Sequence, residues 1–206
     1  MPVDASATRE RILDEAERLF ALRGVDGAQI RDIVRSAEQA NDSAVHYHFG
    51  SRQGLLVAIC ERKIIQMEPE RRRLLDELKA AGRLDDLAAL VTTLIVPTAA
   101  LLDTQDGRYF LGITAQLAGR AGIRTGIVPE PMITTTLREQ LDLIRIACAR
   151  ELPEPVVLER IAIVIGMLTA ALAERAGVID SGHPALLKHE AFVANLEAMI
   201  VAALLA

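Results

Sequence analysis

"NDSAVHYHFGSRQGLL", residues 41–56, is the stretch on which the reading of this chain turns. Asn41 suits a helix start, because its side-chain oxygen can accept an orphan backbone N–H of the first turn. Ala44, Val45 and Phe49 then recur at helical spacing and give the helix an inward face. Gly50 stops it. Ser51 caps a longer helix that begins "RQGLLVAICERKII" and is apolar along one stripe.

Upstream, the spacing of Ile12, Ala16, Leu19 and Phe20 predicts a helix over 8–22, ended by Gly24 in a left-handed turn. A second helix is predicted at about 29–37, with Ile30, Ile33 and Val34 inward, followed by the turn "EQAN". Three short helices with a tight turn before the third describe a helix-turn-helix unit. Such a unit can lay its third helix in the DNA major groove, with its first residues toward the base edges. Asn41, Asp42, Ser43 and His46 are the candidates for base edges. Tyr47, His48, Ser51 and Arg52 are the candidates for phosphates, with Arg31 and Arg35 adding positive charge.

The same residues carry a family resemblance. "IRDIVRSA" (30–37) followed by "NDSAVHYHFGSRQGLLVAI" (41–59) resembles the signature of TetR-type (tetracycline-repressor-like) transcriptional regulators. Tyr47, His48, Phe49, Gly50, Ser51 and Leu55 match it in order, and Arg52 replaces the usual Lys. The resemblance covers about residues 8–63. It implies a DNA-binding head over 1–66 and an all-helical effector-binding and dimerisation domain over 67–206. It also implies a ligand-responsive repressor acting as a homodimer on a palindromic operator. The turn departs from the family: the usual Ala-Gly-Val gives way to "AEQAN", with Glu38 and Gln39 and no glycine where φ > 0 is often needed.

Helical patterning continues over 84–103, 108–117, 133–152, 155–176 and 186–205, which makes an all-α chain of about nine helices. Pro69 is expected to kink or restart the fourth helix, and Pro97 to bend the fifth. Of the 206 residues, 51% are hydrophobic and 3% aromatic, so Ala, Leu, Ile and Val build the core. The net charge of −5 lacks the basic footprint usual for nucleic-acid binding. Residues 1–60 hold seven Arg and no Lys against nine Asp or Glu, so DNA binding must rest on local placement.

Cys60 and Cys148 sit among apolar residues and read as reduced thiols of a cytoplasmic protein. The longest apolar run, 161–173, falls short of the roughly 20 residues of a membrane span. The helices at about 155–177 and 186–205 are apolar on more than one face, which calls for cover by a second copy of the chain. Gly166, Ala170 and Ala173 would allow close approach.

Candidates for effector contact are the polar residues within apolar stretches: Thr92, Thr93, Gln116, Arg120, Thr134 and Arg145. The run Arg71–Arg73 reads as a solvated helix face. His46 and His48 lie two apart, about 200° around a helix, which is poor geometry for joint chelation. Neither a metal, a cofactor nor a catalytic set is expected. Two other classes stay open. One is a dimeric ligand-binding or interaction module whose head no longer reads DNA; the other is a small all-α enzyme.

Overall fold

The computed structural model describes residues 5–39, 43–118 and 135–206. Among them the chain forms nine α-helices and no strand. The head is α1 (Ala5–Arg23), α2 (Ile30–Ser36) and α3 (Ser43–Phe49). The long α4 (Arg52–Ala80) leads out of it into α5 (Leu87–Ala99), α6 (Gln105–Ala118), α7 (Thr136–Cys148), α8 (Glu154–Ser181) and α9 (His189–Leu205). The expected boundary at residue 66 falls inside α4, which runs across it as one helix.

Ile12, Leu13, Ala16, Leu19 and Phe20 of α1 are all buried, joined by Ile33 and Val34 of α2, Val45 of α3 and Leu55 and Ile59 of α4. Gly24 ends α1 at φ +81 and Gly50 ends α3 at φ +71. Ser51 caps α4, its hydroxyl accepting the Gly54 N–H at 3.0 Å. α6 is the hub of the molecule, packed against α1 of the head on one side and α8 on the other. Its first turn lies hard against the preceding segment. A side chain at Gly107 would meet the Leu101 carbonyl oxygen at 2.1 Å, so only glycine fits.

Both prolines lie within helices: α4 does not restart at Pro69, and α5 runs on past Pro97. Pro69 lies within α4, and both it and Ile65, whose carbonyl it cannot bond, are exposed residues. Pro97 lies within α5, which stays helical to Ala99 and then tightens into a 3-10 turn over Ala100–Asp103.

The apolar character of α8 extends beyond the run read from sequence. The helix has 28 residues, with an 18-residue window of mean hydropathy 2.1, long and apolar enough by length and composition to cross a membrane. The charged residues Glu159, Arg160, Glu174 and Arg175 flank the uncharged run 161–173. One face, with Val157, Val164, Leu168, Leu172 and Ala176, is buried in the core, and α8 packs on α6 and α9.

The turn after α2 explains the missing glycine. Glu38 sits at φ 57, the one non-glycine residue with positive φ among those described. The Glu38 N–H bonds the Arg35 carbonyl at 3.1 Å and the Gln39 N–H the Val34 carbonyl at 2.9 Å. These two bonds are the Schellman pattern, whose left-handed position prefers glycine. Left-handed backbone costs an L-residue roughly 1–2 kcal/mol, and glycine's extra unfolded-state entropy offsets roughly 0.5–1 of that. Glu38→Gly should therefore stabilise the protein by about 0.5 kcal/mol. Urea unfolding checks this, and a loss of stability would mean the turn gains from its glutamate.

Candidate nucleic-acid interface

α3 shows one face to the core and one to solvent. Val45 is buried, with Ala44 and Phe49 packed against the core. Ser43, His46 and Tyr47, spaced to share the opposite face, are exposed; Tyr47 is 81% exposed. A large aromatic left that bare at a helix surface lacks an intramolecular reason. His48 is half-buried, its ring edge-on to Tyr47 at 4.9 Å and 6.0 Å from Phe49. Arg9 lies over the Phe49 ring at 5.2 Å and holds the end of α3 against α1. Asn41 and Asp42 lie outside the described residues, so the expected N-cap has no geometry here.

Beside this face, Arg31 and Arg35 are exposed, and the only ion pair shown for Arg31 is a loose 3.8 Å contact to Asp32. Ser51 is exposed while its hydroxyl caps α4. Arg52, expected at a phosphate, does different work. It donates to the Ala28 carbonyl at 2.6 Å and to the Val25 carbonyl, and it stacks over Phe20 at 5.1 Å. Its guanidinium faces inward because the loop between α1 and α2 offers two carbonyls that no helix uses.

Three acidic residues of α1 are turned toward α4. Glu10, Asp14 and Glu17 form a stripe along α1 that meets Arg62 of α4, at 3.4 Å, 2.6 Å and a short contact in turn. Lys63 is buried at the foot of this stripe. Its ammonium lies 3.2 Å from Glu17, out of line for a hydrogen bond, and donates to Asp106 of α6. Burial pushes the Glu17 carboxyl up from its ordinary value, and Lys63 and Arg62 pull it partly back. The Lys63 hydrogen bond holds Asp106 down at about 2. Cys60, next to this cluster, is pushed up to about 11, first by burial and then by Glu17 and Glu61.

The effector candidates scatter. The Gln116 side-chain oxygen accepts the Val25 N–H at 2.8 Å, so this residue ties α6 to the head. Arg145 is spent on Glu154 at 2.9 Å at the surface. Thr92 is half-buried and bonds its own helix at the Ala88 carbonyl. Thr93 is buried, donating to the Leu90 carbonyl and accepting from Gln140 at 3.0 Å. Arg120 and Thr134 lie outside the described residues.

The run at 71–73 divides three ways, since successive helix positions turn by about 100°. Arg73 is solvated with Glu70 and Glu77, Arg72 reaches Glu139 of α7 at 2.9 Å, and Arg71 is buried at 3% exposure. Reading the run as one solvated face missed Arg71. The signal was Met67, Leu75 and Leu78, which place position 71 on the inward stripe.

Comparison with known proteins agrees with this geometry. The family model described as bacterial regulatory proteins, tetR family, matches residues 12–59. Over this head segment the chain is similar to the TetR family. Over 57 residues it is 35% identical to the HTH-type transcriptional repressor NicS of Pseudomonas putida, a stretch of 28% of this chain and 26% of that protein. The match thus spans about a quarter of the length of that curated relative. A TetR-family transcriptional regulator from Rhodococcus sp. aligns over 97% of this chain and 99% of its own, at 18% identity and a TM-score of 0.51. A transcriptional regulator from Streptomyces coelicolor aligns over 94% and 96%, at 20% identity and 0.50. At these identities the two structures show that the fold is shared from end to end.

The different placement of Arg52 and Tyr47 gives a test. Arg52→Ala removes two hydrogen bonds from a charged donor and should cost about 2 kcal/mol of stability. Tyr47→Ala, at a bare position, should change stability by less than about 0.5 kcal/mol. Thermal unfolding of the two variants beside the parent decides; equal effects would contradict the inward role of Arg52.

Proposed function

We propose that this protein is a TetR-type regulator, a repressor that binds a palindromic operator as a homodimer and responds to a small molecule held in its helical core. The observation that carries the DNA reading is the bare outer face of α3, where Ser43, His46 and Tyr47 stand beside the exposed Arg31 and Arg35. Ser43 and His46 reach base edges, while Tyr47, Arg31 and the α4 start at Ser51 serve phosphates. His48, half-buried, positions Tyr47. Asn41 and Asp42 precede α3 and belong to the same surface by sequence.

The dimer reading rests on α8 and α9. Val156, Ile163, Ala170 and Gly177 are exposed at seven-residue intervals along α8, a seam of the kind another helix fills. On α9, Ala191, Ala194, Ala198 and Ala202 are exposed beside it. Side chains added at Gly166 or Gly177 would meet nothing, so a partner helix has room to approach. Two copies joined here would present two α3 helices to half-sites about one DNA turn apart.

Selection of duplexes from a random library by the purified protein tests the first half. A two-fold symmetric consensus is expected, with affinity falling as salt rises. Ser43→Ala and His46→Ala should each relax preference at one position by about 1–3 kcal/mol. No enrichment from a folded dimer would favour the second reading, a ligand-binding module with a silent head, to which the acidic composition of residues 1–60 points.

Ile163→Glu tests the second half. At 58% exposure the change spares the fold of the single chain, and it should yield monomers by sedimentation and weaken operator binding by at least about a hundredfold. Ile65→Glu, at 71% exposure on α4, is the control and should leave the dimer intact. A dimeric Ile163→Glu would place the interface elsewhere.

A further inference from the structure

We propose that Arg71 anchors the carboxylate of a small aliphatic acid, bound among α4, α5 and α7. The assignment rests on the reading of the core as ligand-responsive and gives that ligand a chemistry.

The observation is an unspent buried charge. Arg71 is 3% exposed, and its Nη2 donates to the Thr98 hydroxyl at 3.2 Å and touches the Met67 sulfur at 3.6 Å. Its Nε and Nη1 are buried and have no hydrogen-bond partner. Burial draws the guanidinium down to about 10, and Glu68 only partly opposes this. The Glu68 carboxylate cannot close the gap by hydrogen bonding, because it is engaged at the start of α7. It accepts the Thr136 N–H, at 2.9 and 3.2 Å to its two oxygens, and the Thr136 hydroxyl as well. A buried guanidinium without acceptors is costly, so chains keep one where something supplies the missing anion.

A second orphan stands on the same layer of helices. Gln140 is fully buried and gives its amide N–H groups to the Thr93 carbonyl and hydroxyl, both at 3.0 Å, while its Oε1 has no partner. Thr93 and Thr98 lie five residues apart on α5, a rise of roughly 7.5 Å. The layer therefore offers unused donors at the Thr98 level and an unused acceptor at the Thr93 level. This contrasts with Glu17, whose unbonded oxygen has the Lys63 ammonium 3.2 Å away.

The surroundings select the rest of the molecule. None of the buried residues of α4, α5 and α7 is aromatic, so the body of the acid is aliphatic. One guanidinium with a glutamate nearby suits a single negative charge and not a phosphate dianion. A hydroxyl or amide N–H on the chain would complete Gln140.

The test uses the full-length protein and n-alkanoates from butanoate to dodecanoate, with the matched n-alcohols and alkyl phosphates, by calorimetry and thermal shift. An alkanoate is expected to bind at least about tenfold more tightly than the alcohol of the same length. Arg71→Met, apolar and of similar reach, should fold and lose that preference, and Arg71→Lys should keep part of it. Equal binding of acids and alcohols, no acid bound at any length, tighter alkyl phosphates, or an unchanged preference in Arg71→Met would each overturn the assignment. The wild-type comparison decides even if Arg71→Met does not fold. Binding of the same samples to the selected duplex separates the two readings. Acid binding through Arg71 without DNA binding removes the regulator and keeps the site; DNA binding without acid binding does the reverse.

Discussion

The ammonium of Lys63 stands where α1, α4 and α6 meet, and the arrangement of head and core depends on it. Buried at 2% exposure, it needs carboxylates, and it finds Glu17 on α1 and Asp106 on α6. A pair of this kind gives little net stability, because desolvation consumes most of the attraction. What it gives is register: with either carboxylate displaced, a charge is left buried and uncompensated. Gln116 adds a second tie a few turns along α6, from its side-chain oxygen to the Val25 N–H. The loop that holds Val25 is in turn braced by Arg52. The helices of the head are thus referred to the core by a neutral bond and by a charged one.

The same logic resolves the acidic composition of the head. Net charge is a sum, whereas the proposed DNA contact uses only one face. Glu10, Asp14 and Glu17 are turned toward Arg62 and Lys63, and Asp32 is held by Arg23 at 2.7 Å. What α3 shows to solvent is a serine, a histidine and a tyrosine. The cations that neutralise α1 lie at 62 and 63, beyond the stretch over which the head's charge was counted.

Periodicity made the helices legible, and Gly24, Gly50 and Ser51 marked their ends, because these signals are local. The turn was legible only in part: the lost glycine marked "AEQAN" as a departure, and the structure puts the positive φ at Glu38. Side-chain partners were not legible. Arg52 sits at a family position associated with phosphate, yet its bonds go to carbonyls 24 and 27 residues away. Gln116 looked like a polar residue in a cavity and proved to reach the head, 91 residues off in sequence. Arg71 was hidden by its neighbours, since a run of like residues invites one environment where a helix provides three.

The later half of the seam along α8, Ala170 and Gly177, is made of small residues. Bare alanine and glycine offer water little apolar area, so a newly made chain carries a long open stripe without a strong tendency to stick to unrelated surfaces. The same smallness means that covering the middle of the stripe releases little free energy, at roughly 25 cal/mol per Å². Adhesion must then come from the larger exposed side chains, Val156 and Ile163 within the seam and Leu158 and Met199 outside it. A surface built this way discriminates by closeness of fit: a bulky helix is held off at the glycines, and only one with matching small residues can reach the few leucine-sized contacts that hold it.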